Sequence, residues 1–309
     1  MAPFQSTLVQ THRRFITRAL SLAALLAVSA LAAHGRTDKP DALRIGTSGP
    51  LCSEKDVLKE RGVLAALQLF IKNETGINDE ITQQKGWAEL ADRLVNGELQ
   101  VGVFQGYEFA WAQEKHPNLK PLALAVSAAR DPAACVVVRR DSEAPDFAAL
   151  EGQSLCLPDN GQGYLRLFLD RECRARGKAP KAYFSKISSQ QNVEDCLDEV
   201  VDGAVQGAVL EHAVLEAYKR RKPARFDQLK VVCRSRPLPP VVVAYCDKGL
   251  DEAAVKRFRE GLVGARDREK GRTMLTLFQL TCFEAAPDNF EKVLAETRKA
   301  YPPPKAELK

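Results

Sequence analysis

Apolar positions along the chain switch repeatedly between a spacing of two and a spacing of three to four. "LRIGTSG" (43–49) reads as a strand running into a loop, and 56–73 as an amphipathic helix. "GWAELADRLVNG" (86–97) predicts a helix closed by Gly97, and "ELQVGVF" (98–104) a buried strand. The alternation resumes with strand 153–159, helix 164–176, strand 181–189, helix 193–201 and strand 205–210. A further apolar strand at 241–249 precedes an almost entirely helical remainder, 251–299. Strands alternating with helices predict an α/β fold in which helices cover mostly parallel sheets.

The pattern also repeats within itself. "LVNGELQVGVFQGYEFAWA" (94–112) aligns with "VVDGAVQGAVLEHAVLEAY" (200–218). Each has a helix ending in Asn-Gly or Asp-Gly, a short apolar strand containing Gln (Gln100, Gln206), and another helix. In this register Gln105 falls opposite Glu211, each where a strand gives way to a helix. Two lobes of like construction would then each offer a polar residue at the carboxyl end of a strand, where open α/β sheets bind ligands. Chance likeness between two βα units is the competing explanation.

At 309 residues there is room for two domains of ordinary size. Arg13, Arg14 and Arg18 precede a charge-free run at 19–33 that is too short to span a bilayer. Ala30-Leu31-Ala32 offers a small-residue cleavage site, so residues 1–33 are expected to be a secretory signal peptide and the protein periplasmic. "HRRFIT" partly matches a twin-arginine signal, which leaves the export route open. No cysteine lies near the cleavage site to carry a lipid anchor. Removing the three arginines leaves 42 Lys+Arg against 40 Asp+Glu, so the net charge falls from +5 to +2. Nucleic acid is therefore not an expected partner.

Export bears on the eight cysteines, because an oxidising compartment favours disulfides. No C-x-x-C occurs, which argues against a zinc ribbon or a thioredoxin-like site. Cys135 opens the run "CVVV" and Cys246 closes "VVVAYC". If those two strands are antiparallel neighbours, the two sulfurs fall at the same end.

From residue 42 to about 300 the chain resembles the periplasmic solute-binding proteins of phosphate/phosphonate ABC importers. The resemblance is carried by "LRIGTSGP", "KGWAELADRLVNGELQVGVFQGYEFA", "ACVVVRRDSEAPDFAALEGQSLCLPDNGQGYLRLF", "GAVQGAVLEHAVLEAY" and "PLPPVVVAYCDKGLDEAAVKRFREGL", in that order. It implies the type 2 periplasmic-binding fold: two α/β lobes, each a mostly parallel sheet flanked by helices, joined by a two-stranded hinge. Lobe one is then 42–129 plus 247–309, and lobe two 130–246. A monomer is implied, capturing a small oxyanion or phosphonate-like ligand and handing it to a membrane permease. Some members of the broader family instead signal to a sensor kinase. Where the family commonly has a Ser/Thr-rich run at the start of the lobe-two helix, this chain has Asn160-Gly161-Gln162-Gly163-Tyr164. It also has Gln100 and Gln206 where Asp is common.

The glycine loop precedes a helix start, whose free N–H groups and dipole attract an anion. It lacks the third glycine of a dinucleotide fingerprint and no G-K-[ST] follows, which disfavours nucleotides. Trp87 lies where the family places an aromatic beside the ligand, and Tyr107 follows Gly106 at a helix start; both could equally be packing residues. Thr47 and Ser48 close the first strand, where hydroxyls bond a ligand or cap the next helix. Glu211 would repel an anion unless one partner is protonated, and it suits a ligand bearing an amine or an acidic proton. Cys52, if unpaired, could meet a soft oxyanion such as arsenite, with a disulfide as the alternative. Beyond the signal stretch the histidines are His34, His116 and His212, with no G-x-S-x-G or H-E-x-x-H beside them. No enzyme, cofactor or metal site is expected, and His212 reads as structural.

Overall fold

The computed structural model describes residues 42–48, 78–127, 129–159, 163–247 and 249–304. The expected signal peptide at 1–33, the expected helix at 56–73, Cys52, Asn160, Gly161 and Gln162 lie outside the described residues. The chain runs through β1 (Ala42–Thr47), β2 (Asn78–Gln83), α1 (Trp87–Val95), β3 (Val101–Phe104), α2 (Gly106–Lys115) and β4 (Leu119–Val126). It continues with β5 (Ala134–Arg139), β6 (Ser154–Cys156), α3 (Gly163–Arg174), α4 (Pro180–Tyr183), β7 (Lys186–Ser188) and α5 (Val193–Val201). Then come β8 (Gly207–Glu211), α6 (His212–Arg221), α7 (Pro223–Phe226), β9 (Leu229–Arg234) and β10 (Val241–Cys246). The last elements are α8 (Glu252–Val263), α9 (Glu269–Leu277), β11 (Cys282–Glu284) and α10 (Phe290–Ala300).

These strands make two sheets, β11-β4-β10-β3-β1-β2 and β7-β6-β8-β5-β9. Both are mixed. The expected parallel pairing holds for β2-β1-β3 and β7-β6-β8, whereas β10, β4 and β11, and β5 with β8 and β9, pair antiparallel. Helices cover both faces, which is why β3, β5, β8 and β10 are apolar almost throughout rather than alternating. In β10, Val241 and Val243 enter one core while Val242, Ala244 and Cys246 enter the other. In β5, Ala134, Val136 and Val138 face α3 residues while Cys135 and Val137 face α5.

β10 lies between β3 and β4 in the first sheet, so the return to lobe one falls before Val241 and not after Cys246. This also separates Cys135 from Cys246, which are free thiols in different sheets. Among the described residues a disulfide joins Cys156 of β6 to Cys196 of α5. Two further expectations change. The start of 181–189 is a helical turn with Pro180 in its first position, where proline's fixed φ suits a helix, and only Lys186–Ser188 is strand. The helical C-terminal stretch is interrupted by β11, which extends the first sheet beyond β4.

The internal repeat is structural. α1 and α5 both end in a glycine at positive φ, Gly97 (75°) and Gly203 (76°), a conformation glycine adopts without steric cost. Gln100 and Gln206 each precede the strand that follows. Gln100 Oε1 accepts from Arg44 N–H at 2.9 Å, and Gln206 Oε1 accepts from Ser154 N–H at 3.0 Å. Both therefore tie parallel neighbours together at the amino ends of strands, away from any site at the carboxyl ends.

Candidate functional site

The chain passes between the sheets twice, at 127–133 and 235–240, and the passages run side by side. Leu238 N–H donates to Pro132 O at 2.9 Å and Ser235 N–H to Ala134 O at 2.8 Å. This is the expected two-stranded hinge. Beside it a pocket is walled by Gln105, Gly106 and Tyr107 from lobe one, Tyr164 from lobe two, and Ser127 and Pro239 from the passages. Its volume, about 10 Å³, is roughly the room one water needs.

On the lobe-one side, β3 delivers Gln105 to the N-cap of α2. Gly106 follows because no other residue fits: a Cβ there would meet Pro239 O at 2.1 Å and Pro240 O at 2.5 Å. Tyr107 is buried, its ring edge-on to Trp111 at 5.0 Å, and Trp111 is edge-on to Trp87 at 5.8 Å. Trp87 is thus both a helix-start residue and a packing residue between two cores. Thr47 is buried at the end of β1. Ser48 is committed to protein, its N–H donating to Val103 O and its hydroxyl to Glu108 Oε2.

Glu108 is the residue that sequence reading passed over. It sits three positions into α2, where a carboxylate accepts helix-start N–H groups, and Oε2 accepts from Gln105 N–H at 3.2 Å. Burial pushes its carboxyl up to about 7, against the downward pull of the Ser48 and Gln105 hydrogen bonds. Glu at a helix start is ordinarily a solvated residue answering the dipole, so its type and position alone carried little signal.

On the lobe-two side, α3 begins at Gly163, whose Cα approaches so closely that a Cβ would lie 2.6 Å from the Tyr107 hydroxyl. Tyr164 and Glu211 are 2% and 4% exposed. Their side chains face each other, and burial raises both groups' pKa values. Tyr164 Oη and Glu211 Oε1 are buried and oppose each other, and the Tyr164 hydroxyl is the only hydrogen-bonding group set against the Glu211 carboxyl among the causes of its shift. Glu211 is the last residue of β8 and the N-cap of α6, the counterpart of Gln105 that the repeat predicted. The structure therefore brings Gln105, Tyr107, Gly163, Tyr164 and Glu211 into one neighbourhood, while Thr47, Ser48 and Trp87 support it from lobe one. His212 lies against Arg234 at 3.2 Å, and burial and that guanidinium lower its pKa. Among the described residues no cluster of His, Cys, Asp or Glu has the makings of a metal site.

Two α/β lobes, two adjacent passages and a pocket between them define a type 2 periplasmic-binding protein. A family model described as ABC transporter, phosphonate, periplasmic substrate-binding protein matches residues 54–289, and the chain belongs to that family. Solved structures agree on the fold. XAC2383 from Xanthomonas citri bound to chloride ion superposes with TM-score 0.59 at 20% identity, covering 85% of this chain and 98% of that one. PhnD1 from Prochlorococcus marinus (MIT 9301) in complex with methylphosphonate gives 0.55 at 16%, covering 84% and 98%. A binding protein component of an ABC phosphonate transporter (PA3383) from Pseudomonas aeruginosa gives 0.53 at 15%, covering 83% and 85%. No curated protein matches the sequence. The family binds and delivers without chemical transformation, so the chain is a periplasmic solute-binding component and not an enzyme.

Proposed function

We propose that the cleft captures a small oxyanion, most simply a phosphonate or a related phosphorus oxyacid, and delivers it to an ABC permease. One observation carries the ligand reading. Two opposed oxygens, Tyr164 Oη and Glu211 Oε1, are buried at the starts of two lobe-two helices with no other hydrogen-bond partner among the described residues. A ligand entering the cleft meets both atoms at once.

The chemistry of the pair narrows the ligand. An ionised Glu211 repels an anion, whereas the protonated form, which burial favours by raising the pKa, donates to an anionic oxygen. A hydrogen phosphonate can instead bring the proton and donate it to the carboxylate. Tyr164 supplies a second hydroxyl, and the α3 start adds the favourable end of its dipole. Gln105 and Tyr107 close from lobe one. Only the closed form makes both sets of contacts, so binding shifts the population toward closure.

A thermal-shift screen tests this with phosphate, phosphite, methylphosphonate, 2-aminoethylphosphonate, a sulfonate and arsenite. A compound present at a hundred times its dissociation constant adds about 2.7 kcal/mol of stability. A selective rise with one phosphorus oxyacid is expected. A flat response to all six would overturn the oxyanion assignment.

A further inference from the structure

The residues after the last helix join parts of the molecule that the hinge otherwise leaves to two passages. α10 packs on α2, where Arg298 Nη1 donates to Ala110 O at 3.3 Å. Tyr301 then enters the apolar cluster that holds Val136, Phe168 and Leu238, and is 6% exposed. Its carbonyl accepts from Trp111 Nε1 of α2 at 2.7 Å, and its phenol lies against Ser235 of the second passage. The next carbonyl, Pro302 O, accepts from Arg171 Nη2 of α3. One short segment thus holds a lobe-one helix, a lobe-two helix and a hinge strand. Those helices are α2 and α3, whose starts wall the cleft, and Trp111 packs edge-on against Tyr107 one turn away.

We propose that Tyr301 and Pro302 form a strap across the lobes that biases the unliganded protein toward closure. Opening carries α3 away from α2 about the two passages. The Trp111–Tyr301 and Arg171–Pro302 bonds cannot then both persist without stretching the tail, and Tyr301 must leave its apolar surroundings. Two passages alone carry no such resistance. Apparent affinity scales with the fraction of molecules already competent to bind, so the strap tightens binding without touching ligand. The effect on affinity rests on the cleft reading above; the effect on shape does not.

Tyr301→Ala and Arg171→Met test the strap, by small-angle X-ray scattering without ligand and by calorimetry with methylphosphonate. Both variants should enlarge the radius of gyration of the unliganded protein. Tyr301→Ala should also weaken binding about tenfold, the result of a tenfold fall in the closed fraction. Arg171→Met, which removes one hydrogen bond at a helix surface, keeps the test open if Tyr301→Ala fails to fold. A lower melting temperature with unchanged radius in both would mean packing alone, and would overturn the proposal. If the wild-type protein binds no oxyanion, the ligand reading fails while the scattering still decides the strap.

Discussion

Replacing Glu108 by Gln isolates the energetic cost of one buried carboxyl. The ordinary value of 4.5 rises to about 7 in the folded chain, with burial as the largest cause. Below pH 4.5 the group is protonated both folded and unfolded and costs nothing. Between pH 4.5 and about 7 the unfolded chain releases a proton that the fold still holds, so stability falls as pH rises. Above about 7 the full cost stands, about 3 kcal/mol. Glutamine removes the charge, yet its carbonyl can still accept from the Ser48 hydroxyl and the Gln105 N–H, the two partners Glu108 Oε2 has. Glu108→Gln should therefore match the wild type near pH 4.5 and exceed it by about 2–3 kcal/mol at pH 8. Urea unfolding at half-unit pH steps reads the difference, and other titrating groups cancel because both proteins share them. A variant equal to or less stable than wild type at pH 8 would refute the reasoning. So would a difference that does not change with pH.

Other consequences follow from single contacts. Gly106→Ala places a Cβ against two proline carbonyls and should cost about 1–3 kcal/mol in chemical denaturation; a neutral substitution would show that the second passage does not press on α2. Cys156→Ala with Cys196→Ala opens a crosslink spanning 40 residues and should lower stability by about 4 kcal/mol, again by denaturation, while circular dichroism stays native. Affinity for an oxyanion should fall as pH rises through the folded pKa of Glu211, which burial raises, and Glu211→Gln should flatten that profile in calorimetry between pH 5.5 and 8.5. Affinity that instead climbs with pH would show an ionised Glu211 facing a cationic group on the ligand.

What the sequence revealed depended on whether the information was local. The two capped helices were legible because Asn96-Gly97 and Asp202-Gly203 each require the left-handed turn that the structure shows. The same register brought Gln105 and Glu211 to matching strand–helix junctions. Pro180 carried a helix-start signal that the surrounding apolar residues masked. Sheet membership was not local. The run at β10 is apolar on both faces, and nothing in such a run says which sheet it enters. The Cys156–Cys196 pairing is likewise a matter of which helix covers which strand. Glu108 was overlooked because its burial comes from a neighbour distant in sequence, Ser48, and from the packing around the start of α2.

The most direct test of the cleft is isothermal titration calorimetry of methylphosphonate, phosphite and phosphate into wild-type protein and a Gln105→Ala, Glu211→Ala double variant. The account predicts saturable heat for at least one of the three with wild type. It predicts no measurable binding in the variant, whose thermal unfolding stays cooperative. Equal affinity in both proteins would place the ligand elsewhere and contradict the account.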